Sequence, residues 1–154
     1  MTRYYKNVKI VSIDTYVREK GVWIIINTSK YTNHTKEEIS EYLNIVKKNI
    51  KRGKYIICTN VNNEKNKKFI EKYKLDSNKQ KEMLNQLKVE DFCYSVDNYN
   101  QPDERLYIFC KEYELNNWGT IIKIEVYIKI VIKEYDFIVI VSFHEPEKRI
   151  KKLF

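Results

Sequence analysis

The spacing of apolar side chains between residues 120 and 144 predicts two neighbouring strands joined by a tight turn. Along 120–133, isoleucine or valine occupies positions 122, 124, 126, 128, 130 and 132, and mostly polar side chains lie between them. Alternation with a period of two is typical of a strand with one buried face. Residues 137–143 are almost continuously apolar, which indicates a central strand covered on both faces, and this strand ends at His144.

The first 33 residues predict a β-hairpin that is separate from the rest of the chain. Strand-like runs at 7–14 and 22–27 flank a turn at 18–21, in which Gly21 tolerates a positive φ. Residues 28–33 are polar and predict a linker. We therefore divide the chain into an N-terminal hairpin extension, 1–33, and a main domain, 34–154.

Helical spacing begins directly after the predicted linker. Thr35 is a suitable N-cap, Glu38 completes a capping box, and Gly53 suits the position just after the helix end. The inward residues recur at helical spacing, namely Ile39, Tyr42, Leu43, Val46 and Ile50. Residues 55–58 then predict a short buried strand.

Two further helices are predicted, one over 64–73 with Asn62 or Asn63 as its cap, and one capped by Asp76 or Ser77. Their inward residues are Phe69, Ile70, Tyr73, Met83, Leu84 and Leu87. Residues 89–96 predict one more helical turn in which Phe92 is buried, and 97–104 predict a polar loop.

A strand at 105–113 and a turn at 116–119 complete a three-stranded antiparallel meander with the two strands described first. Helices gathered before strands favour an α+β fold, in which helices pack on an antiparallel sheet, over a wound parallel sheet.

Composition narrows the possible partners and compartments. The 154 residues suit one domain with a small appendage, and the formal net charge of +8 favours polyanions, nucleic acid first. The alternative is that the lysines only keep the surface soluble. Three widely spaced cysteines are typical of buried thiols in a reducing compartment. No apolar span of 18 residues is present, so we expect no membrane segment and a cytoplasmic protein.

Several kinds of enzyme find no support in the sequence. Three separated glycines cannot form a glycine-rich phosphate loop, and no HExxH, CxxC or GxSxG motif occurs. Only two histidines are present, and we expect His34 to be a solvated loop residue. We therefore expect neither a metal nor a cofactor.

Tyr127, Lys129 and His144 are the strongest candidates for chemistry. His144 is a candidate general acid or base because an imidazole titrates near neutrality; the alternative is a partly exposed histidine at a strand end. Tyr127 and Lys129 are two residues apart and share one face of the predicted strand. Tyr127 could orient a nucleophile or only cover the sheet edge, and Lys129 could bind a phosphate.

These residue types suit metal-free cleavage of RNA, in which the 2′-hydroxyl attacks the adjacent phosphorus. The reaction needs a base, an acid and cations around the phosphoryl group. A basic run near the end of the first helix is either a phosphate-contacting patch beside this site or, equally, a solvated helix end. Its members are Lys47, Lys48, Lys51, Arg52 and Lys54.

From about Leu43 onward, the chain resembles the MqsR family of toxins from toxin–antitoxin systems. The similar segments are 46–55, 69–75, 87–92, 108–113, 127–130 and 140–145. The most specific of them are Tyr127-Ile-Lys-Ile130 and Ile140-Val-Ser-Phe-His-Glu145. The resemblance implies a RelE-like fold, ribosome-independent endonucleolytic cleavage of messenger RNA, growth arrest, and neutralisation by a cognate antitoxin.

The resemblance also assigns roles by position. It makes Tyr127 the family's key tyrosine, Lys129 its strand lysine, and His144 the basic residue that closes the last strand. Two positions depart from the family, because a strand glutamine falls at Cys110 and a functional lysine at Tyr94. Lys111 and Tyr99 are the neighbours that could substitute. The expected substrate-binding residues are Lys47, Lys51, Arg52, Lys54, Tyr94 and Lys111.

The leading hypothesis is therefore an endoribonuclease toxin with an extra N-terminal β-hairpin, which family members generally lack. The departures at Cys110 and Tyr94 motivate the alternative, a non-catalytic nucleic-acid-binding or protein-interaction module on the same fold. A third hypothesis is a structural or inhibitor protein whose hairpin pairs with a strand of a partner.

Overall fold

A computed structural model of the chain describes residues 10–19, 22–99 and 101–154, with side chains described from Lys30 onward. Within this part, seven strands form one sheet in the order β1-β2-β4-β5-β6-β7-β3. The strands are β1 (Ile10–Glu19), β2 (Val22–Tyr31), β3 (Tyr55–Ile57), β4 (Phe92–Asp97), β5 (Arg105–Asn117), β6 (Thr120–Ile132) and β7 (Ile138–His144). The helices are α1 (Lys36–Lys51), α2 (Glu64–Lys72) and α3 (Ser77–Asn85). The α+β architecture is confirmed.

The predicted C-terminal meander is present. β5, β6 and β7 pair antiparallel in sequence order, and β3 adds to β7 as a parallel strand. β7 therefore lies between two other strands, as its continuous apolar run predicts. The isoleucine and valine side chains of β6 at even-numbered positions from 122 to 132 belong to the main apolar core or pack against it.

Residues 89–96 do not form the predicted helical turn. A short 3-10 turn, Val89–Asp91, is followed at once by strand β4, which pairs with β5 on one side and β2 on the other. A helix here would leave both neighbouring strand edges unpaired, so the pairing decides the conformation. Phe92 is fully buried, as predicted.

The N-terminal strands differ from the predicted bounds. β1 and β2 pair antiparallel from Ile10 with Tyr31 to Glu19 with Val22. β1 includes Arg18, which was assigned to the turn, and β2 continues to Tyr31 through most of the predicted linker. Residues 7–9 and the turn residues 20 and 21 lie outside the described part of the chain.

The two ends of α1 and the start of α3 lie where local chemistry predicts, whereas the predicted cap of α2 is wrong. The Thr35 hydroxyl accepts a hydrogen bond from the Glu38 backbone N–H at 3.2 Å, and Gly53 has φ +77° just beyond the end of α1. The Asp76 carboxylate accepts from the Lys79 N–H at 2.8 Å at the start of α3. Neither predicted asparagine caps α2 through its side chain, because α2 continues directly from a 3-10 turn capped by Asn60.

The two faces of the sheet have different neighbours. The three helices cover one face, here the helix face, where the main core includes Ile39, Leu43, Phe69, Met83, Phe109, Ile128 and Phe143. The opposite face, here the cleft face, has a smaller apolar cluster of Cys93, Val96, Leu106, Ile108, Cys110 and Val131. No helix in the described residues combines the length and the apolar character needed to cross a membrane.

Candidate active site

Strands β6 and β7 bring Tyr127 and His144 together. The two residues are direct partners across the strand pair, and their rings stack with centroids 5.7 Å apart and planes inclined by 28°. Lys129 lies opposite Ser142 in the same ladder. Because alternate residues of a strand share a face, Tyr127 and Lys129 both lie on the cleft face.

A β-bulge places His144 on this face. Lys129 pairs with Ser142 but Ile130 pairs with Ile140, so Val141 is an extra residue in β7. Ile140 lies in the core of the helix face, and regular alternation from it would turn His144 toward that core. The extra residue reverses the alternation, so that the imidazole meets Tyr127 on the cleft face.

Asn66 of α2 holds the bulge from the helix side. Its side-chain amide donates to the carbonyls of Val141 at 2.9 Å and Cys58 at 2.8 Å, and its carbonyl oxygen accepts from the Phe143 N–H at 2.8 Å. Asn66 is 1% exposed, so these backbone groups depend on it rather than on water.

The hydrogen bond of His144 determines which of its ring nitrogens can accept a proton. Its Nδ1 lies 2.8 Å from the backbone carbonyl oxygen of Glu145. A carbonyl only accepts, so Nδ1 carries the proton and donates it. In the neutral ring the lone pair is then on Nε2, which can take up a proton and return it.

Tyr127 remains a neutral phenol at physiological pH. Burial is the main cause that raises its pKa, and the neighbouring Tyr94 raises it further. Such a phenol acts as a hydrogen-bond donor or an acid rather than as an ionised base.

Lys129 is a largely buried cation. Burial lowers its pKa, and its Nζ lies 5.8 Å from the centre of the Tyr127 ring. No carboxylate among the described side chains forms an ion pair with it. An ammonium in this setting gains strongly from an anionic ligand.

A cleft of about 950 Å³ lies between the sheet, the end of β2 and the C-terminal tail, residues 145–154. Tyr127, Lys129 and His144 line this cleft. Its basic lining residues are Lys30, Lys129, His144, Lys148, Arg149, Lys151 and Lys152. The one acidic residue in the lining, Glu147, is paired with Lys65 of α2. The cleft is therefore strongly positive.

The C-terminal tail is fixed at both ends of the cleft wall. Near its start, the Tyr73 hydroxyl donates to the Glu145 carboxylate at 3.2 Å. Near its end, the Leu153 N–H donates to the Phe92 carbonyl at 2.9 Å, and Lys152 lies 3.6 Å from Asp91. Between these points, Ile150 packs against the smaller apolar cluster.

Tyr94, one of the six predicted substrate-binding residues, lines the cleft. The other five lie elsewhere, namely Lys47, Lys51, Arg52, Lys54 and Lys111. Lys111 lies on the helix face, 3.4 Å from the Asp91 carboxylate, and therefore cannot substitute at the cleft. Burial is the main cause that lowers the pKa of Lys47, and the charges of Asp91 and Lys111 also act on it.

The predicted basic patch of residues 47–54 is thus not beside Tyr127. α1 buries its apolar side chains in the core of the helix face, so its lysines lie on that side of the sheet. Lys54 donates to the Tyr135 carbonyl at 2.7 Å, at the end of β7 remote from His144. The sequence shows the charges of this run but not which face of the sheet receives them.

Cys110, at the position where the resemblance implies a glutamine, lies directly opposite Tyr127 and is fully buried. Cys93 is also buried, and its thiol donates to the Asp91 backbone carbonyl at 3.6 Å. The expectation of buried free thiols is confirmed for these two, whereas Cys58 is only half-buried.

His34 is not the solvated loop residue expected from the sequence. Its side chain is only 7% exposed, its Nε2 lies 2.7 Å from the Ser95 hydroxyl, and its Nδ1 lies 3.2 Å from Glu38. Burial between the rings of Phe92 and Tyr107 is the main cause that lowers its pKa. The residue fastens the start of α1 to β4, which is a structural role.

The sequence reasoning missed most of the cleft wall. Lys30 falls in the predicted linker, and no role is predicted for residues 148–152. The run Lys-Arg-Ile-Lys-Lys carries one apolar residue among four cations, and that residue packs on the sheet. An isolated apolar residue in a basic tail was the signal available.

Within the described residues, no group of three or more histidine, cysteine or acidic side chains is arranged to hold a metal ion. Comparison with known proteins finds no family model and no curated protein that matches this chain. The similarity to MqsR toxins therefore rests on the motifs quoted above.

Proposed function

We propose that this protein is a toxin-type endoribonuclease, an MqsR-like mRNA interferase on a RelE-like fold, which a cognate antitoxin neutralises. The observation that supports the proposal best is the stacked Tyr127–His144 pair on the floor of a positive cleft, beside Lys129, which has no ion-pair partner among the described side chains. These are the three residues that the family resemblance assigns to the site.

The side chains suggest a division of labour. Nε2 of His144 takes the proton of the RNA 2′-hydroxyl as its oxygen attacks the adjacent phosphorus. Lys129 stabilises the negative charge that develops on the phosphoryl oxygens. The bond to the 5′-oxygen breaks, and the neutral hydroxyl of Tyr127 gives its proton to that oxygen. The products are a 2′,3′-cyclic phosphate and a 5′-hydroxyl, and exchange with water restores both side chains.

The rest of the cleft fits a nucleic-acid strand. Single-stranded nucleic acids bind in positively charged grooves that follow the phosphate backbone. Lys148, Arg149 and Lys151 lie along the tail wall, and no ion pair to a described carboxylate neutralises them. An RNA strand in the cleft would supply the missing negative charge.

A second candidate is a nucleic-acid-binding module without catalytic activity. It is favoured by Cys110, because a buried thiol cannot make the hydrogen bonds of the amide that the resemblance implies at this position. The two candidates differ in one observable, since only the first yields cleaved RNA.

The proposal is tested by incubating the protein with 5′-labelled RNA in EDTA. We expect cleavage without added metal, fragments that end in a 2′,3′-cyclic phosphate, and resistance of a substrate with 2′-deoxyribose at the cleaved position. RNA that is bound but stays intact would support the binding module. Cleavage that stops in EDTA and returns with Mg²⁺ would rule out the proposed acid–base mechanism.

The antitoxin is a separate part of the proposal. Induced expression should arrest bacterial growth, and co-expression of the adjacent small reading frame should relieve the arrest. Growth that is unaffected by the active nuclease would remove the toxin role but leave the chemistry standing.

A further inference from the structure

We infer that strand β2 forms one wall of the substrate cleft, and that Lys30 binds a phosphate of the RNA strand beside the reacting one. Lys30 lies near the end of the N-terminal extension, for which the sequence suggests only pairing with a strand of a partner. It rests on the proposed function for the identity of the ligand, an RNA strand.

The placement of Lys30 follows from strand pairing. β2 joins β4 through Lys30 opposite Val96 and Tyr31 opposite Ser95. Val96 belongs to the apolar cluster of the cleft face, so its partner Lys30 points to the cleft, which it lines. Tyr31 points to the other face.

Tyr31 fixes the end of β2 and thereby the direction of Lys30. It is 5% exposed, and its hydroxyl donates to the Asp97 carboxylate at 2.8 Å. The guanidinium of Arg105 lies 3.8 Å from the centre of its ring. Because both the ring and the hydroxyl of Tyr31 are in contact with other residues, the backbone of the adjacent Lys30 is held in place.

Lys30 is connected to the candidate catalytic pair. Its Nζ lies 4.1 Å from the centre of the Tyr94 ring, and Tyr94 and Tyr127 line the same cleft, close enough to affect each other's pKa. Tyr127 in turn stacks on His144. The amino group therefore lies one aromatic ring away from the site of proton transfer, where an adjacent backbone phosphate would pass.

The charges around Lys30 favour an anion. No described carboxylate forms an ion pair with it, and the nearby Lys148 repels its charge. Burial, first, and this repulsion lower the pKa of Lys30. Holding the ammonium groups of Lys30 and Lys148 near each other therefore costs free energy. Because the ammonium already covers the Tyr94 ring, this point of the cleft offers a charge to a phosphate rather than an aromatic surface to a base.

The test measures binding separately from cleavage. A fluorescent 2′-O-methyl RNA oligonucleotide lacks the attacking hydroxyl, so its dissociation constant can be measured by anisotropy at several salt concentrations. Lys30→Ala should weaken binding by about threefold to tenfold and reduce the slope of log K against log salt by about 0.7, the value for one lost contact to a single strand. Lys30→Arg should keep most of the affinity and most of the slope of log K against log salt.

Two further variants serve as controls. Lys67→Ala removes an equally positive but exposed lysine from α2, on the helix side, and should leave both the affinity and the slope unchanged. Lys30→Gln keeps an aliphatic stem and an uncharged polar end, and should behave like Lys30→Ala. It therefore replaces Lys30→Ala if that variant has a lower urea midpoint than the wild type.

The outcomes separate this inference from the proposed catalysis. Wild-type affinity and slope in both Lys30→Ala and Lys30→Gln, equal losses in Lys67→Ala, or no binding by the wild type would each overturn it. If the Lys30 variants bind weakly but the wild type never cleaves ordinary RNA, the phosphate site stands and the nuclease proposal fails.

Discussion

The two faces of strand β6 differ in how their polar and charged groups are satisfied. On the helix face, Ile128 and its apolar neighbours are fully buried, and the polar Asn66 makes three hydrogen bonds with the backbone. On the cleft face, Lys129 has no ion-pair partner among the described residues, and Tyr127 stacks on a titratable ring. One strand thus supplies a core through its even positions and a candidate site through its odd positions.

This difference separates stability from function along one strand. Substitutions on the helix face should mainly lower the free energy of unfolding. Those on the cleft face should mainly weaken RNA binding or cleavage and change the free energy of unfolding little. Buried side-chain polar atoms without a hydrogen bond are absent from the described residues, so charge rather than hydrogen bonding is what the cleft face leaves unbalanced. Five substitutions test this separation.

The largest effect is expected at the candidate catalytic pair. His144→Ala and Tyr127→Phe should each lower the RNA cleavage rate by about 10²–10⁴-fold, the usual contribution of a positioned acid or base. The free energy of unfolding should fall by about 1 kcal/mol for the lost hydroxyl. Tyr135→Phe is the matched control because Tyr135 is 90% exposed. Wild-type cleavage rates in both variants would remove the mechanism.

Ile128→Ala tests the helix face of the same strand. It should reduce the free energy of unfolding by about 2–5 kcal/mol, because it leaves a cavity in a packed core. Urea denaturation followed by circular dichroism measures the loss. Ile121→Ala, at a position 61% exposed on the same strand, should stay within about 0.5 kcal/mol of the wild type. Equal losses at both positions would contradict the assignment of the faces.

Asn66→Ala joins the two faces in one experiment. Unpaired backbone groups at the bulge should reduce the free energy of unfolding by about 1–3 kcal/mol. The variant should also slow RNA cleavage under conditions where it is still folded, because the bulge directs His144 to the cleft. Asn63→Ala removes a single hydrogen bond to Val141 and should have a smaller effect on both. Lower stability with an unchanged cleavage rate would show that the bulge does not need Asn66.

Lys129→Met should raise stability slightly while weakening RNA binding. The folded-state pKa of Lys129 lies below its ordinary value of 10.5, so the charged form destabilises the fold at neutral pH, and this penalty fades as pH rises through the folded pKa. The gain in urea midpoint should therefore be largest near neutrality and shrink towards pH 10.5. Lys123→Met, at an exposed position, should show no such trend. A loss of stability in Lys129→Met would contradict this account.

Local patterns were sufficient for part of the molecule. The alternation in β6, the apolar run of β7 and the caps at Thr35 and Asp76 depend on neighbours in sequence, and the structure agrees with them. Strand β4 depends on partners that are distant in sequence, so its short mixed run, taken alone, predicts a helical turn.

The candidate site was predictable only in its floor. The alternation in β6 predicts that Tyr127 and Lys129 share one face of the sheet. The continuous apolar run of β7 does not show which of its residues face which side, and the bulge at Val141 decides which face receives His144. The walls depend on non-local pairing. The resemblance expects a lysine at position 94, whereas the amino group above the Tyr94 ring comes from Lys30, on a different strand.

The fixed ends of the C-terminal tail have a mechanical consequence for the cleft. The tail is held near Glu145 by Tyr73 and near Leu153 by Phe92, and between these contacts lie Lys148, Arg149 and Lys151, which form no ion pair with a described carboxylate. The segment between these two contacts forms one wall of the cleft, so its position sets the width of the opening. Loss of either contact would widen the entrance without altering Tyr127, Lys129 and His144 on the floor, so the size of substrate admitted and the chemistry performed on it can vary independently.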